Sequence, residues 1–349
     1  ISNTFYEGED DYDKYDRREN MVGYNVEHLF DNGWSVRQKL RYLHTDVELN
    51  QVYAAGWLNE TELNRGYSGS DEKMSAITLD NQLDGSFDTW QVNHRVLVGI
   101  DYQDRSNNTT GYYGAFPPID AFNPVYGAQP DYINMYAREK HKLRQTGYYL
   151  QDQMSWDRWR ITLGGRYDQV SVSNIDKIND TRSDLDKNNF STRAALLYLF
   201  DNGFAPYVSY STAFTPTSFA DENGNLLDPM KGKQWEAGLK YEPEGLNSQF
   251  SASVFRINQT NIATKEEPTD PYRSIGEIES EGVELEAISQ LTESFRLQAA
   301  YTYTDIRYKK SSPEEQGKRA VYAPRNQAST WLSYDVKSGP LDGLTLGSG

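Results

Sequence analysis

The stretch Gln234-Trp235-Glu236-Ala237-Gly238-Leu239-Lys240-Tyr241 decides the fold class. Trp235, Ala237, Leu239 and Tyr241 alternate with Gln234, Glu236, Gly238 and Lys240. A period of two sends successive side chains to opposite faces of a strand, one apolar and one polar. Arg296 to Thr304 repeats the pattern, with Leu297, Ala299, Tyr301 and Tyr303 against Arg296, Gln298, Ala300, Thr302 and Thr304. In Arg160 to Asp168, Ile161, Leu163, Gly165 and Tyr167 oppose Thr162, Gly164, Arg166 and Asp168. Such Tyr-, Thr- and Trp-rich segments fit a pleated, half-buried surface. Gly164-Gly165 falls mid-strand with no helix after it, so it reads as a bend or close approach in a wall rather than a phosphate loop.

Working outward, Leu29-Phe30-Asp31-Asn32-Gly33 and Leu199-Phe200-Asp201-Asn202-Gly203 are near-identical turn signals. Asn-Gly between alternating runs predicts type I′ hairpins with positive φ at both central residues. Short turns also fit 84–90, 156–159, 242–247, 290–294 and 337–343. Between them lie polar stretches at 46–74, 105–142, 174–188, 214–230, 259–277 and 307–323, read as long loops. About 14 strands result, joined alternately by short turns and long loops, which is the plan of a transmembrane barrel. A soluble sandwich or propeller also alternates, but loops of that length are uncommon in compact soluble domains.

Composition narrows the class. The 349 residues carry 35 Lys+Arg and 51 Asp+Glu, a formal charge of −16 that argues against nucleic-acid binding. Without cysteine there is no disulfide scaffold, thiolate metal site or Cys nucleophile. Mean hydropathy is −0.79 and no apolar run approaches the ~18–20 residues of a membrane helix, which excludes a helical membrane protein but not a barrel. The 26 Tyr, 7 Trp and 13 Phe suit interfaces where an apolar ring meets a wet hydroxyl. Ile1-Ser2-Asn3-Thr4 shows no signal-peptide pattern, and the chain reads as an internal piece of a longer protein.

Several segments carry a resemblance. Tyr148 to Asp157, with Ile161-Thr162-Leu163-Gly164-Gly165-Arg166-Tyr167-Asp168, resembles a signature of TonB-dependent siderophore receptors. Tyr207 to Phe214, Lys231 to Gly238, Glu281-Gly282-Val283-Glu284-Leu285-Glu286 and Tyr301 to Asp305 continue it in order over essentially the whole chain. Tyr6-Glu7-Gly8-Glu9 and Arg17-Arg18 to Met21-Val22-Gly23-Tyr24 resemble the ferrichrome and ferrioxamine branch. The resemblance implies an all-β, antiparallel transmembrane barrel in the Gram-negative outer membrane, with residues 1–349 supplying about 14 of the family's 22 strands. The plug domain, the box that contacts TonB and the terminal strands would lie outside this chain. It further implies import of a ferric hydroxamate siderophore, energised by TonB, by a monomer with no intrinsic cofactor and no metal ligands of its own.

A hydroxamate chelate needs an aromatic, hydrogen-bonding cup. Val52-Tyr53-Ala54-Ala55-Gly56-Trp57 and Gly111-Tyr112-Tyr113-Gly114-Ala115-Phe116, with Phe122 and Tyr126, supply such residues. The candidate ligand contacts are Tyr53, Trp57, Tyr112, Tyr113, Phe116 and Tyr126, and the resemblance places Tyr53 and Tyr113 on family contacts. Ala55 replaces an expected Tyr and the family's loop Cys pair is absent, which favours ferrioxamine over ferrichrome. Trp235, Tyr241, Trp331 and Tyr334 are assigned to wall or girdle.

The remaining chemistry-bearing residues read blandly. His28, His44, His94 and His141 lack ligand-pair spacing, and the acidic run from Glu9 to Asp16 lacks the Gly and Glu of an EF-hand, so it reads as a solvated loop. Lys140, Lys142, Arg144, Lys309 and Lys310 stand where lipopolysaccharide phosphates could be met. A barrel enzyme would need a converging acid-base set that four scattered histidines do not offer. A passive porin is the second alternative.

Overall fold

The computed structural model describes residues 1–265 and 270–349. Fourteen strands form one antiparallel sheet, and no helix occurs among the described residues. They are β1 (Lys14–Leu29), β2 (Ser35–Trp57), β3 (Glu62–Thr89), β4 (Val92–Asp120), β5 (Tyr132–Trp156), β6 (Trp159–Asp176) and β7 (Thr181–Tyr198). β8 (Phe204–Thr215), β9 (Met230–Tyr241), β10 (Ser248–Thr264), β11 (Arg273–Gln290), β12 (Phe295–Lys310), β13 (Asn326–Asp335) and β14 (Thr345–Ser348) follow. Each strand pairs with its neighbours in sequence, and β1 and β14 each pair on one side only, so the sheet is open.

The register sorts the side chains. On β4, Val92, Val96, Val98, Ile100 and Tyr102 share one face with His94, while Asn93, Arg95, Gly99, Asp101 and Gln103 share the other with Leu97. Val98 pairs with Leu83 and Leu150, and Leu150 with Gly165, so the apolar face runs continuously across strands. Its members are exposed: Leu150 at 53%, Leu163 at 50% and Val254 at 53%. A large exposed apolar band on a strand sheet is the lipid-facing surface of a barrel; the polar face is the lumen.

Aromatics mark both margins of this band. Next to the short turns, Trp159 packs on Tyr198 at 4.7 Å, Phe204 stacks on Tyr241 at 4.1 Å and Phe295 meets Tyr334 at 4.7 Å. Farther along, Tyr148 pairs with Tyr167, and Tyr210 packs on Trp235 at 4.6 Å. Trp156 and Tyr148 lie eight residues apart on β5. At about 3.4 Å per residue and a tilt of about 40°, that spans ~21 Å, close to the ~25 Å apolar height of such barrels. Tyr241, Tyr334 and Trp235 thus occupy girdle positions; Trp331 pairs with Gln298 and shares the lumen face.

Two sequence expectations need correction. The stretches 46–74, 105–142 and 174–188 are mainly strand: β4 continues to Asp120 and pairs with β5 through Ala115–Tyr132, and β6 pairs with β7 as far as Asp176–Thr181. Above the membrane both faces of a hairpin are wet, so polar residues pair as well as apolar ones once the ladder satisfies the backbone. The true loops on that side are short at 58–61, 121–131 and 177–180, and longer at 216–229 and 311–325. Part of the 259–277 stretch, at 266–269, lies outside the described residues. Second, the Asn-Gly turns are not type I′. Only Gly33 and Gly203 have positive φ, at 82° and 83°, and Gly33 N–H donates to the Phe30 carbonyl at 2.9 Å. Asn32 instead uses its side-chain oxygen to accept the Trp34 amide at 3.1 Å, so glycine alone takes the left-handed position.

Candidate functional site

Beyond the lipid band, β2 to β5 rise as tall hairpins, and the register separates their aromatics onto two faces. Tyr53 pairs with Gly66, and Tyr113 with Ser68 and Asn134. These positions continue the lumen row of Asp101 and Gln103. Tyr132 and Tyr136 join that face, lying 6.1 Å from Tyr113 ring to ring. Two glycines make room for the rings. A Cβ at Gly66 would sit 2.8 Å from Tyr53 Cζ, and one at Gly111 2.7 Å from Tyr136 Cζ. The four tyrosines are 38 to 61% exposed, and no hydrogen bond holds their hydroxyls among the described residues.

The opposite face is packed. Val52, Tyr67 and Phe116 form a buried cluster, with Tyr12 edge-on to Phe116 at 4.9 Å. Here the tyrosine hydroxyls are engaged: Tyr67 donates to Asn50 Oδ1 at 2.6 Å and Tyr112 to Asp71 at 3.3 Å. Burial and the Asp71 charge raise the Tyr112 hydroxyl above the ordinary tyrosine range. A bulge at Ala55 turns Trp57 onto this outer side, paired with Leu63. Of the six candidates, the structure therefore brings Tyr53 and Tyr113 together on the lumen face. It places Tyr112, Phe116 and Trp57 on the outer face, and Tyr126 in loop 121–131, where its hydroxyl donates to the Tyr6 carbonyl at 2.9 Å. Sequence reasoning missed Tyr132 and Tyr136, although the alternation Tyr132-Ile133-Asn134-Met135-Tyr136 was readable as strand.

The acidic run, read as a solvated loop, is partly buried. Residues 1–13 cross the outer face, and Glu9 and Arg65, each 1% exposed, meet at 2.9 Å. Arg65 Nε donates to the Pro117 carbonyl at 2.8 Å, and the Gly127 amide donates to Glu9 Oε2 at 2.8 Å. Asp13 accepts the Val52 amide at 2.5 Å and the Tyr6 hydroxyl, which partial burial and Asp13 push upward in pKa. One buried pair thus ties together the strap 1–13, the β2–β3 hairpin and loop 121–131.

Lower in the lumen, polar side chains satisfy one another. Arg166 bridges Asp101 and Asp168, and Tyr149 donates to Asp80 at 2.6 Å. Among the described residues no group of three or more His, Asp or Glu is arranged to hold a metal ion.

A tall open sheet with a lipid band, wet hairpins and an aromatic lumen wall is part of an outer-membrane receptor barrel. The chain belongs to the family described as TonB dependent receptor-like, beta-barrel, whose model matches residues 1–349. It is 88% identical over 349 residues to the Ferrioxamine B receptor of Salmonella typhimurium strain LT2, covering 100% of this chain and 50% of that protein. It is 34% identical to the Ferrichrome outer membrane transporter/phage receptor of Escherichia coli K12, over 96% of this chain and 48% of the relative. The chain spans about half the length of the relatives it matches. The closed form of the Ferric-Catecholate import receptor Fiu from E. coli K12 superimposes with a TM-score of 0.82 at 16% identity, over 95% of this chain and 53% of that one, and shares its fold.

Proposed function

We propose that this chain is the ligand-facing wall of an outer-membrane receptor that binds a ferric hydroxamate siderophore, ferrioxamine in preference to ferrichrome, and imports it with energy supplied through TonB. The observation that carries this reading is the asymmetry between faces. Tyrosines on the outer face spend their hydroxyls on the protein, whereas Tyr53, Tyr113, Tyr132 and Tyr136 on the lumen face keep theirs free. Rings that pack on methylene arms and hydroxyls that donate to chelate oxygens suit an organic ligand already wrapped around its iron. The resemblance to named ferrioxamine receptors in Salmonella and Yersinia supports the same ligand class. A passive porin needs no such free aromatic wall.

Arg144 is paired with Asp104 at 2.9 Å, and Lys140 and Lys142 project outward above the aromatic margin, opposite Asn108 and Ser106. They would meet lipopolysaccharide phosphates at the outer leaflet. Lys309 and Lys310 are held by Glu279 at 2.5 Å and Glu277 at 3.1 Å, so they carry less of that role.

The test is a fluorescence titration of the full-length, detergent-folded receptor with ferrioxamine B, with ferrichrome in parallel. Expected is sub-micromolar, saturable quenching by ferrioxamine B, weakened at least tenfold by Tyr53→Ala and unchanged by Tyr112→Phe. Equal loss in both variants, or no binding at all, would overturn the assignment.

A further inference from the structure

On the outer side of β12, three guanidiniums converge on one carboxylate. Arg307 Nε donates to Asp305 Oδ2 at 2.8 Å, Arg319 Nε donates to Asp305 Oδ1 at 2.7 Å, and a terminal nitrogen of Arg325 lies 3.6 Å from the same Oδ1. The register fixes the face. Arg256 lies opposite both Trp235 and Glu281, and Glu281 lies opposite Asp305, so Asp305 shares the outward face of Trp235. The strand fixes the height. Tyr303 lies eight residues from the girdle residue Phe295 on β12, the same interval as Trp156 to Tyr148 on β5. Asp305 and Arg307 therefore begin just above the apolar band, at the headgroup level of the outer leaflet.

Loop 311–325 is built back onto the strand, which sets the cluster in place. The Gly317 amide donates to the Tyr308 carbonyl at 2.7 Å, the Ala320 amide to Ile306 at 2.9 Å and the Thr304 amide to Arg325 at 2.8 Å, and Arg319 bridges Arg307 directly. Arg307 and Arg319 both spend Nε on Asp305. Both terminal nitrogens of Arg319 and one of Arg307 are left without a hydrogen-bond partner among the described residues. The three side chains are 36 to 44% exposed, so those nitrogens are reachable from outside. The neighbouring carboxylates are already matched, Glu279 by Arg256 and Lys309 and Glu281 by Arg256. Asp305 offsets one of its three arginines, so two positive charges stand uncompensated on the outer wall of a chain whose formal charge is −16.

We infer that Arg307, Arg319 and Arg325 form a docking site for the phosphate monoester of an outer-leaflet lipid, a lipopolysaccharide contact on a different part of the wall from Lys140 and Lys142. A phosphate monoester brings about −1.5 to −2 charges at pH 7 and three acceptor oxygens, which suits two uncompensated charges carried by three guanidiniums. The planar fork of each guanidinium matches phosphate oxygens in a way that a lysine ammonium does not, and the Nε bonds to Asp305 hold two of the forks in a fixed orientation. A zwitterionic phospholipid brings its own ammonium, and a carboxylate brings a single charge, so neither balances the cluster. The lipid is assigned over free phosphate because the cluster stands at headgroup level, where lipid phosphates are concentrated. The inference rests on the outer-membrane placement of the barrel and on nothing assigned to the tyrosine wall. A receptor that failed to bind ferrioxamine B would leave it standing.

The protein for the test is the full-length receptor refolded in detergent, carrying Lys140→Gln and Lys142→Gln so that the β5 lysines do not contribute. The probes are bisphosphorylated lipid A, the same lipid after enzymatic removal of its phosphates, and inorganic phosphate, with lipid binding read by native mass spectrometry. Expected is a preference of at least tenfold for the phosphorylated lipid. Adding Arg319→Gln with Arg325→Gln should shrink that preference to within twofold. Adding Arg319→Lys with Arg325→Lys instead, which keeps the charge and loses the forks, should leave a preference of at least threefold. A preference unchanged by the glutamine pair overturns the site. An equal loss of both lipid forms in that variant also overturns it, by assigning the arginines to the structure of loop 311–325. Displacement of the phosphorylated lipid by inorganic phosphate at equal concentration overturns the lipid assignment.

Discussion

Arg65→Met isolates what the buried pair does. The substitution keeps most of the side-chain volume but leaves the Glu9 carboxylate 1% exposed and without its guanidinium. It also deletes donors to the Pro117 and Gly8 carbonyls. Breaking a buried pair by removing one partner costs about 3–5 kcal/mol. At 1.4 kcal/mol per tenfold, the strap should open about a hundred- to four-thousand-fold more often. The amides that report it are those of Tyr12 and Asp13, which donate to the Glu9 carbonyl at 2.9 and 2.8 Å, with Val52 and Gly127. Hydrogen exchange on the full-length receptor in detergent should show them losing protection by that factor, while amides of β4 from 92 to 102 keep theirs. Glu9→Leu combined with Arg65→Met buries no charge and should recover most of the loss. Protection unchanged within threefold at Tyr12 and Gly127, or a loss spreading equally into the lipid band, would refute the assignment of a local clamp.

Val98→Arg, paired with Leu150 inside the band, places a charge on the lipid face and should destabilise folding into vesicles by about 2–4 kcal/mol, whereas Gln103→Arg on the lumen face should stay within about 0.5 kcal/mol; urea titration of both variants decides it. Gly203→Ala should cost clearly more than Gly33→Ala. Both have positive φ, but a Cβ at Gly203 would lie 2.0 Å from the Glu242 carbonyl oxygen while one at Gly33 meets nothing, so melting temperatures should separate the two. In loop 216–229, backbone and side-chain bonds from Asn225 hold the Asp221 carboxyl below its ordinary range. A depressed folded pKa supports the loop above the unfolded value near 3.9 and is lost as pH falls through the folded one, so exchange at Asn223 and Asn225 should rise only below about pH 4.

The alternation in Gln234–Tyr241 and Arg296–Thr304 was legible because the lipid band demands it: one face must be apolar, and the period of two follows. The short turns were legible for a related reason, since Gly33 and Gly203 mark left-handed positions. Strand extent above the membrane was not. There neither face of β2 to β5 is constrained to be apolar, so 46–74 and 105–142 look like loops while the ladder runs on. The candidate site suffered from the same blindness. Tyr112 and Tyr113 are adjacent and chemically identical, and only the register puts one against Asp71 and the other beside Tyr132. The Ala55 bulge, which reverses Trp57, leaves no periodic trace. Glu9 looked solvated because its partner, Arg65, lies 56 residues away.

Adjacent positions on opposite faces give the most direct test. Because the chain has no cysteine, Tyr113→Cys and Tyr112→Cys can each carry a thiol-reactive fluorophore in the full-length receptor. Addition of ferrioxamine B, whose ferric centre quenches nearby fluorophores, should quench the label at 113 saturably and leave the label at 112 nearly unchanged. Equal quenching at both positions, or none at 113 while the ligand is demonstrably bound, would contradict a lumen-facing tyrosine wall as the ligand site.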